Sequence, residues 1–94
     1  MTKQDFVNKF YPAAKAAGAE FNINPVVVLA QAAIESGWGE SKLSTYNNFF
    51  GITAYGRINN YWHGGKIQLT DNGLPFRRYD TMENCFMDYY RQIR

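Results

Sequence analysis

Ninety-four residues, 46% of them apolar and 17% aromatic, suffice for one domain with a single core and no more. A formal net charge of +2 rests on ten scattered Lys and Arg, of which only Arg77 and Arg78 are adjacent, so nothing resembles a nucleic-acid-binding arm. One Cys and one His exclude an intramolecular disulfide and a Cys/His metal centre, no cofactor is expected, and no apolar run approaches the ~20 residues of a membrane span.

Thr2 and Asp5 read as a short capping box that opens a helix. Phe6, Phe10, Ala13, Ala14 and Ala17 then recur at helical spacing, and Gly18 offers a stop. Pro12 removes a hydrogen bond within this stretch, so residues 3–17 are expected as one kinked helix or two short pieces. The start at residues 1–5 is too polar for a signal peptide, which suggests a fragment of a larger protein or delivery by another route. A second helix has Asn24 as N-cap, Pro25 in the first position and Gly37 just past its end. Between them the chain is apolar nearly all round, with Gln31 the only polar interruption, so this helix is expected to be central and buried on every side.

Residues 36–64 carry many Gly, Asn and Ser and read as loop, with a short helical turn at 41–44. Alternation in Lys66-Ile67-Gln68-Leu69-Thr70, the turn signal Asp71-Asn72-Gly73 and then Phe76-Arg77-Arg78-Tyr79 predict a hairpin. Asp80 and Glu83 suggest another capping box. Met82, Cys85, Phe86, Tyr89, Tyr90 and Ile93 mark the apolar stripe of a last helix. The order helix, helix, loop, hairpin, helix predicts an α+β domain dominated by helix.

Eight carboxylates can be sorted by what each is for. Asp5, Asp80 and Glu83 have capping readings, Glu20 and Asp88 fall on polar positions where solvation is the default, and Glu40 sits in a Gly/Ser-rich loop. Glu35 and Asp71 remain. Glu35 lies in the last turn of an apolar helix, where the macrodipole disfavours an anion, and burial beside Ile34 and Trp38 would favour the protonated carboxyl that a general acid needs. The alternative is a carboxylate that reaches solvent or pairs with a nearby Lys or Arg. Asp71 is a turn former before Asn-Gly, or else a second carboxylate across a groove from Glu35. Trp38, Phe49, Phe50, Tyr55, Tyr61, Trp62 and Tyr79 are candidates to wall a sugar cleft, because pyranose faces pack on flat rings, although at least one of Phe49 and Phe50 is expected in the core. His63 reads as a loop histidine, Cys85 as a buried inert thiol, and only one of Arg77 and Arg78 should face any cleft.

The segment Ala30-Gln31-Ala32-Ala33-Ile34-Glu35-Ser36-Gly37-Trp38-Gly39, then Ser41-Lys42-Leu43 and Tyr46-Asn47-Asn48-Phe49-Phe50-Gly51-Ile52, closely resembles the signature of bacterial N-acetylglucosaminidases of glycoside hydrolase family seventy-three. Trp62, Thr70-Asp71, Phe76-Arg77-Arg78-Tyr79 and Asp88-Tyr89 continue the resemblance in the usual order, over roughly residues 5–90. Flagellar peptidoglycan hydrolases and many autolysins carry such a domain. The resemblance implies a lysozyme-like α+β fold, with a helical lobe and a small β-hairpin lobe flanking a groove. It also implies hydrolysis of the β-1,4 bond between N-acetylglucosamine and N-acetylmuramic acid in peptidoglycan glycan strands, hence action at the bacterial cell wall, whether periplasmic, secreted or phage- or effector-delivered.

By the same resemblance the catalytic Glu falls on Glu35, and Asp71 stands where the family usually has a second acidic residue, a Glu. The implied substrate contacts are Trp38, Asn48, Phe50, Tyr55, Trp62 and Tyr79. Family domains usually continue past Asp88-Tyr89 into further helices. If those pack on residues 26–34, the short C-terminus leaves apolar surface through which the chain could dimerise. Rival readings are a muramidase or lytic transglycosylase of the same fold, and a non-catalytic glycan-binding module; the block at 46–52 and the hairpin motif favour the glucosaminidase.

Overall fold

The computed structural model describes residues 1–93. Three helices, α1 (Lys3–Phe21), α2 (Pro25–Ser36) and α3 (Met82–Ile93), carry most of the regular structure, with a short 3-10 turn at Leu43–Tyr46 and two strands, β1 (Lys66–Gln68) and β2 (Pro75–Arg77). This is the α+β architecture that the order of elements predicts. No helix among the described residues is long and apolar enough to cross a membrane.

The capping box of α1 is complete: Asp5 N donates to Thr2 Oγ1 at 3.0 Å and Thr2 N to Asp5 Oδ2 at 3.1 Å. The helix then runs unbroken to Phe21, past the expected stop. Pro12 is tolerated because it and Asn8, whose carbonyl it cannot reach with an N–H, are both exposed, so water can serve that carbonyl. Gly18 is not a terminator but a buried helical residue. Asn22 takes the left-handed cap position, and the N–H groups of Asn22 and Ile23 both turn back to the Gly18 carbonyl. A Cβ on Gly18 would lie 2.5 Å from the Ile23 carbonyl oxygen, so glycine is what lets the chain reverse tightly into α2.

Asn24 caps α2 through Oδ1, which accepts from Val26 N at 2.9 Å, and Gly37 closes it at φ 57. The expectation that α2 is central and buried all round fails. α1 is the central helix, packing against both α2 and α3. α2 therefore has a single inner side, carrying Val28, Leu29, Ala32, Ala33 and Ser36, while Ile34 is 75% exposed and Val26, Val27 and Ala30 also face outward.

The core gathers around α1 as a chain of rings packed edge to face: Phe6 on Phe10, Phe10 on Phe49 and Phe49 on Phe86, with centroids 4.6, 5.0 and 5.8 Å apart. β1 and β2 pair antiparallel in the register Lys66 with Arg77, Ile67 with Phe76 and Gln68 with Pro75. On the far side of β2, Thr53 bridges Phe76, and Arg77 N donates to Ile52 O. The strands are shorter than the alternation suggests. Gly73 N closes the turn on Thr70 O, and Tyr79 N leaves the hairpin for Tyr46 O. The cap of α3 is Thr81, whose Oγ1 accepts from Asn84 N at 3.1 Å, not Asp80, which is drawn away to His63 at 2.7 Å.

Candidate active site

Glu35 lies in the last turn of α2 and is exposed, with no hydrogen bond or ion pair among the described residues. The expected burial between Ile34 and Trp38 is absent. Ile34 points to solvent, and Trp38 turns inward at φ 58, donating its N–H to Ala33 O at 2.7 Å and packing its ring edge on Phe6 at 5.5 Å. Lys3 Nζ covers that ring at 5.0 Å, so Trp38 is partly core and not a free sugar platform.

What holds Glu35 in place is the segment after it. Ser36 is buried, donates to Ala32 O at 2.6 Å and accepts from Gly39 N at 2.9 Å. Ser41 N donates to Ser36 O, and Ser44 Oγ to Gly39 O. The end of α2 is thus hydrogen-bonded into a wrapped loop that fixes the position of its last turn. One turn before Glu35, on the same side of the helix, Gln31 Oε1 accepts a hydrogen bond from the Tyr90 hydroxyl of α3.

Asp71 is exposed in the β1–β2 turn and makes no bond to Glu35. Four of the expected substrate contacts are buried. Asn48 is buried with its amide satisfied: Nδ2 donates to Ile52 O and Arg77 O, both at 2.9 Å, and Oδ1 accepts from Ile52 N. Phe50 is core, stacked on Tyr89 at 4.0 Å. Trp62 is buried, with Nε1 donating to Gly65 O and the Arg77 guanidinium 4.1 Å above its ring. Tyr79 is buried and donates to Asp88. Each is large or amide-bearing and packs among the loop, the hairpin and α3. Tyr55, at 57% exposure, keeps an open ring, and Tyr61 is half-buried.

The most elaborate polar cluster is one that sequence reasoning missed, because it assigned Asp88 to solvent. Asp88 is fully buried. Its Oδ2 accepts from Arg77 Nη1 at 2.6 Å, from Tyr79 and from Gln92, and its Oδ1 from Asn59 Nδ2 at 3.0 Å and from Arg91. Arg77 also donates Nε to Thr53 O and Nη2 to Tyr55 O, tying the 53–55 loop to β2 and α3. Burial alone would push the Asp88 carboxyl upward, but the hydrogen bonds from Tyr79 and Arg77 and the Arg77 charge outweigh it and hold the group below the usual carboxylate range. Burial and the bond to Asp88 push the Tyr79 phenol far up. The signal available in sequence was that Asp88 falls three residues after Cys85, on the inner side of α3. Cys85 itself is buried as expected, its thiol pushed up to about 12 by burial.

A separate cavity of about 520 Å³ lies between α1, the 3-10 turn and the start of α3, with Lys9, Phe10, Thr45, Asp80 and Glu83 in its lining; it includes neither Glu35 nor Asp71. Among the described residues no group of three or more His, Cys, Asp or Glu side chains could hold a metal ion.

The family model named Glucosaminidase and described as mannosyl-glycoprotein endo-beta-N-acetylglucosaminidase matches residues 11–94. The peptidoglycan hydrolase FlgJ of Vibrio parahaemolyticus is 32% identical over 102 residues, covering 94% of this chain and 32% of its own length. A probable N-acetylmuramidase of Lactococcus lactis subsp. cremoris is 33% identical over 95 residues, covering 93% of this chain and 21% of its own. Among solved structures, the glycoside hydrolase domain of Salmonella typhimurium FlgJ superposes with a TM-score of 0.81 at 26% identity, covering 99% of this chain and 61% of that one. The catalytic domain of the autolysin Auto from Listeria monocytogenes gives 0.77 at 28% identity, covering 98% and 56%. The chain spans about a third of the length of the FlgJ relatives it matches. A family match over nearly the whole chain, on a fold shared with two glycoside hydrolase domains, makes this chain a member of the glucosaminidase family.

Proposed function

We propose that this chain is a peptidoglycan-cleaving glycoside hydrolase domain with Glu35 as its general acid, acting on the β-1,4 bond between N-acetylglucosamine and N-acetylmuramic acid at the bacterial cell wall. The observation that carries this reading is the placement of Glu35: an exposed, unpaired carboxyl at the last turn of α2, anchored by the Ser36 and Ser44 hydrogen bonds, in a chain related to peptidoglycan hydrolases. Of the remaining carboxylates, Asp5, Glu40, Asp80 and Asp88 are bound to partners of their own.

In the proposed step the Glu35 carboxyl gives its proton to the glycosidic oxygen as the bond to the anomeric carbon breaks and that sugar gains oxocarbenium character. A water completes the reaction: its oxygen bonds to the anomeric carbon and a proton is lost to a base. Asp71, an exposed carboxylate in the hairpin turn, is the candidate base or charge stabiliser. A separation of roughly 6.5–9.5 Å from Glu35 in the substrate complex would suit a water-activating role. Tyr55 supplies an exposed ring for a sugar face.

Turbidity clearing of purified cell walls tests the reading. Glu35→Gln should lose about 100-fold or more of the rate, the usual contribution of a general acid. Unchanged clearing would remove Glu35 from the chemistry. Because the relatives carry both glucosaminidase and muramidase names, mass spectrometry of the products decides the bond. Reducing-end N-acetylglucosamine is expected; anhydro-muramic ends would assign the chain to transglycosylation instead.

A further inference from the structure

Gln31 is the one polar side chain between Pro25 and Glu35, on a helix otherwise built of Val, Leu, Ala and Ile. It stands one turn before Glu35 on the same side, so the two Cβ atoms are roughly 5–6 Å apart. Its Oε1 is taken by the Tyr90 hydroxyl. That hydroxyl is a dependable donor, since burial and the neighbouring Tyr89 push its pKa up to about 12. The Tyr90 ring is itself held edge-on by Tyr89 at 5.0 Å and Phe50 at 6.2 Å. Oε1 is thus the occupied end of the amide, and its Nε2 has no partner among the described residues on a side chain that is only half-buried.

We propose that Gln31, held in place by Tyr90, is a specificity residue that donates a hydrogen bond to the acetamido carbonyl of the N-acetylated sugar at the cleavage site. This inference rests on the reading of Glu35 as the general acid. An acid and an amide donor one helical turn apart match a sugar whose anomeric carbon, bearing the bond to be broken, is next to the carbon bearing the acetamido group. The acetamido carbonyl is a neutral acceptor. De-N-acetylation replaces it with an amine or ammonium, which leaves the Gln31 N–H facing another donor. A site of this kind discriminates against the analogue lacking the acceptor because its own polar group is left unpaired. Tyr90 acts through Gln31 and is a positioning residue.

The experiment compares kcat/KM of the 94-residue chain on N-acetylated glycan strands and on the same strands after chemical de-N-acetylation. Wild type should prefer the acetylated strands by roughly tenfold or more, a single hydrogen bond's worth of discrimination. Gln31→Met, close in volume, should lose rate mainly on acetylated strands, so that the preference collapses towards one. Gln31→Glu, which offers acceptors only, should take the ratio below one because a carboxylate pairs with the ammonium of the de-N-acetylated sugar, and Tyr90→Phe should give an intermediate ratio because the amide is freed to rotate. A preference unchanged in Gln31→Met, with cleavage still dependent on Glu35, would overturn this inference alone. A wild type with no cleavage on either strand would overturn the functional reading beneath it. Thermal melts of each variant separate misfolding from lost recognition, and a ratio measured on the folded fraction is independent of how much protein folds.

Discussion

Arg77 carries four interactions that differ in kind: an ion pair to buried Asp88, two hydrogen bonds to the carbonyls of Thr53 and Tyr55, and a cation stacked on Trp62. Arg77→Ala removes all of them and leaves the Asp88 carboxylate buried without its strongest partner, which should cost about 3–5 kcal/mol in urea unfolding. Arg77→Lys retains the charge but cannot reach Asp88, Thr53 and Tyr55 together, so it should fall between wild type and Arg77→Ala. Equal losses in the two variants would make the ion pair irrelevant. Alternation along the strand was enough to predict that one of Arg77 and Arg78 turns inward. It could not name Asp88 as the partner, because Asn59 and Arg77 reach it from 29 and 11 residues away. The burial of Trp62, Tyr79 and Phe50 was not legible for a related reason. A large ring, with or without a polar handle, suits a sugar wall and a core equally well, and only neighbours distinguish the two.

The turn from α1 into α2 depends on Gly18 lacking a side chain. In an exposed helix interior, Gly→Ala would gain up to about 1 kcal/mol from propensity. Here a methyl would meet backbone at 2.5 Å, which cannot rotate away, so Gly18→Ala should destabilise the chain by roughly 1–3 kcal/mol. A raised melting temperature would refute the close approach. Thr2→Ala, by contrast, removes one cap and should cost about 0.5–2 kcal/mol without altering the core. The caps at Thr2, Asn24 and Gly37 were legible because a cap is a local arrangement spanning a few residues. The outward face of α2 was not. Val26, Val27 and Ile34 are as apolar as the residues beneath them, and a run of apolar residues reports composition, not how many sides have a neighbour. The place of Glu35 in the last turn of α2 was legible, while its exposure followed from α2 packing on one side only.

Over the whole molecule, the Asp88 cluster joins the 53–62 loop, the hairpin and α3, so its protonation should govern acid stability. A carboxyl whose folded pKa is depressed contributes stability that is fully present above the unfolded value of about 3.9 and is lost as pH falls through the folded value. Asp88 is such a group, and the exposed capping carboxylate Asp5, lowered by its backbone and side-chain bonds to Thr2, acts in the same direction more weakly. At the alkaline end the sign reverses. Tyr79, Cys85 and Tyr90 are all raised by burial, so the stability they contribute is fully present below their unfolded values, about 8.5–10, and is lost as pH rises beyond them. Urea midpoints should therefore form a plateau from about pH 5 to pH 8 and fall on both sides. Asp88→Asn should lower the plateau, because the amide no longer balances Arg77, and flatten the acid limb, because the titrating group is gone. Should Asp88→Asn keep the wild-type acid slope, some other carboxylate would be setting the limit and the cluster would be merely a packing feature.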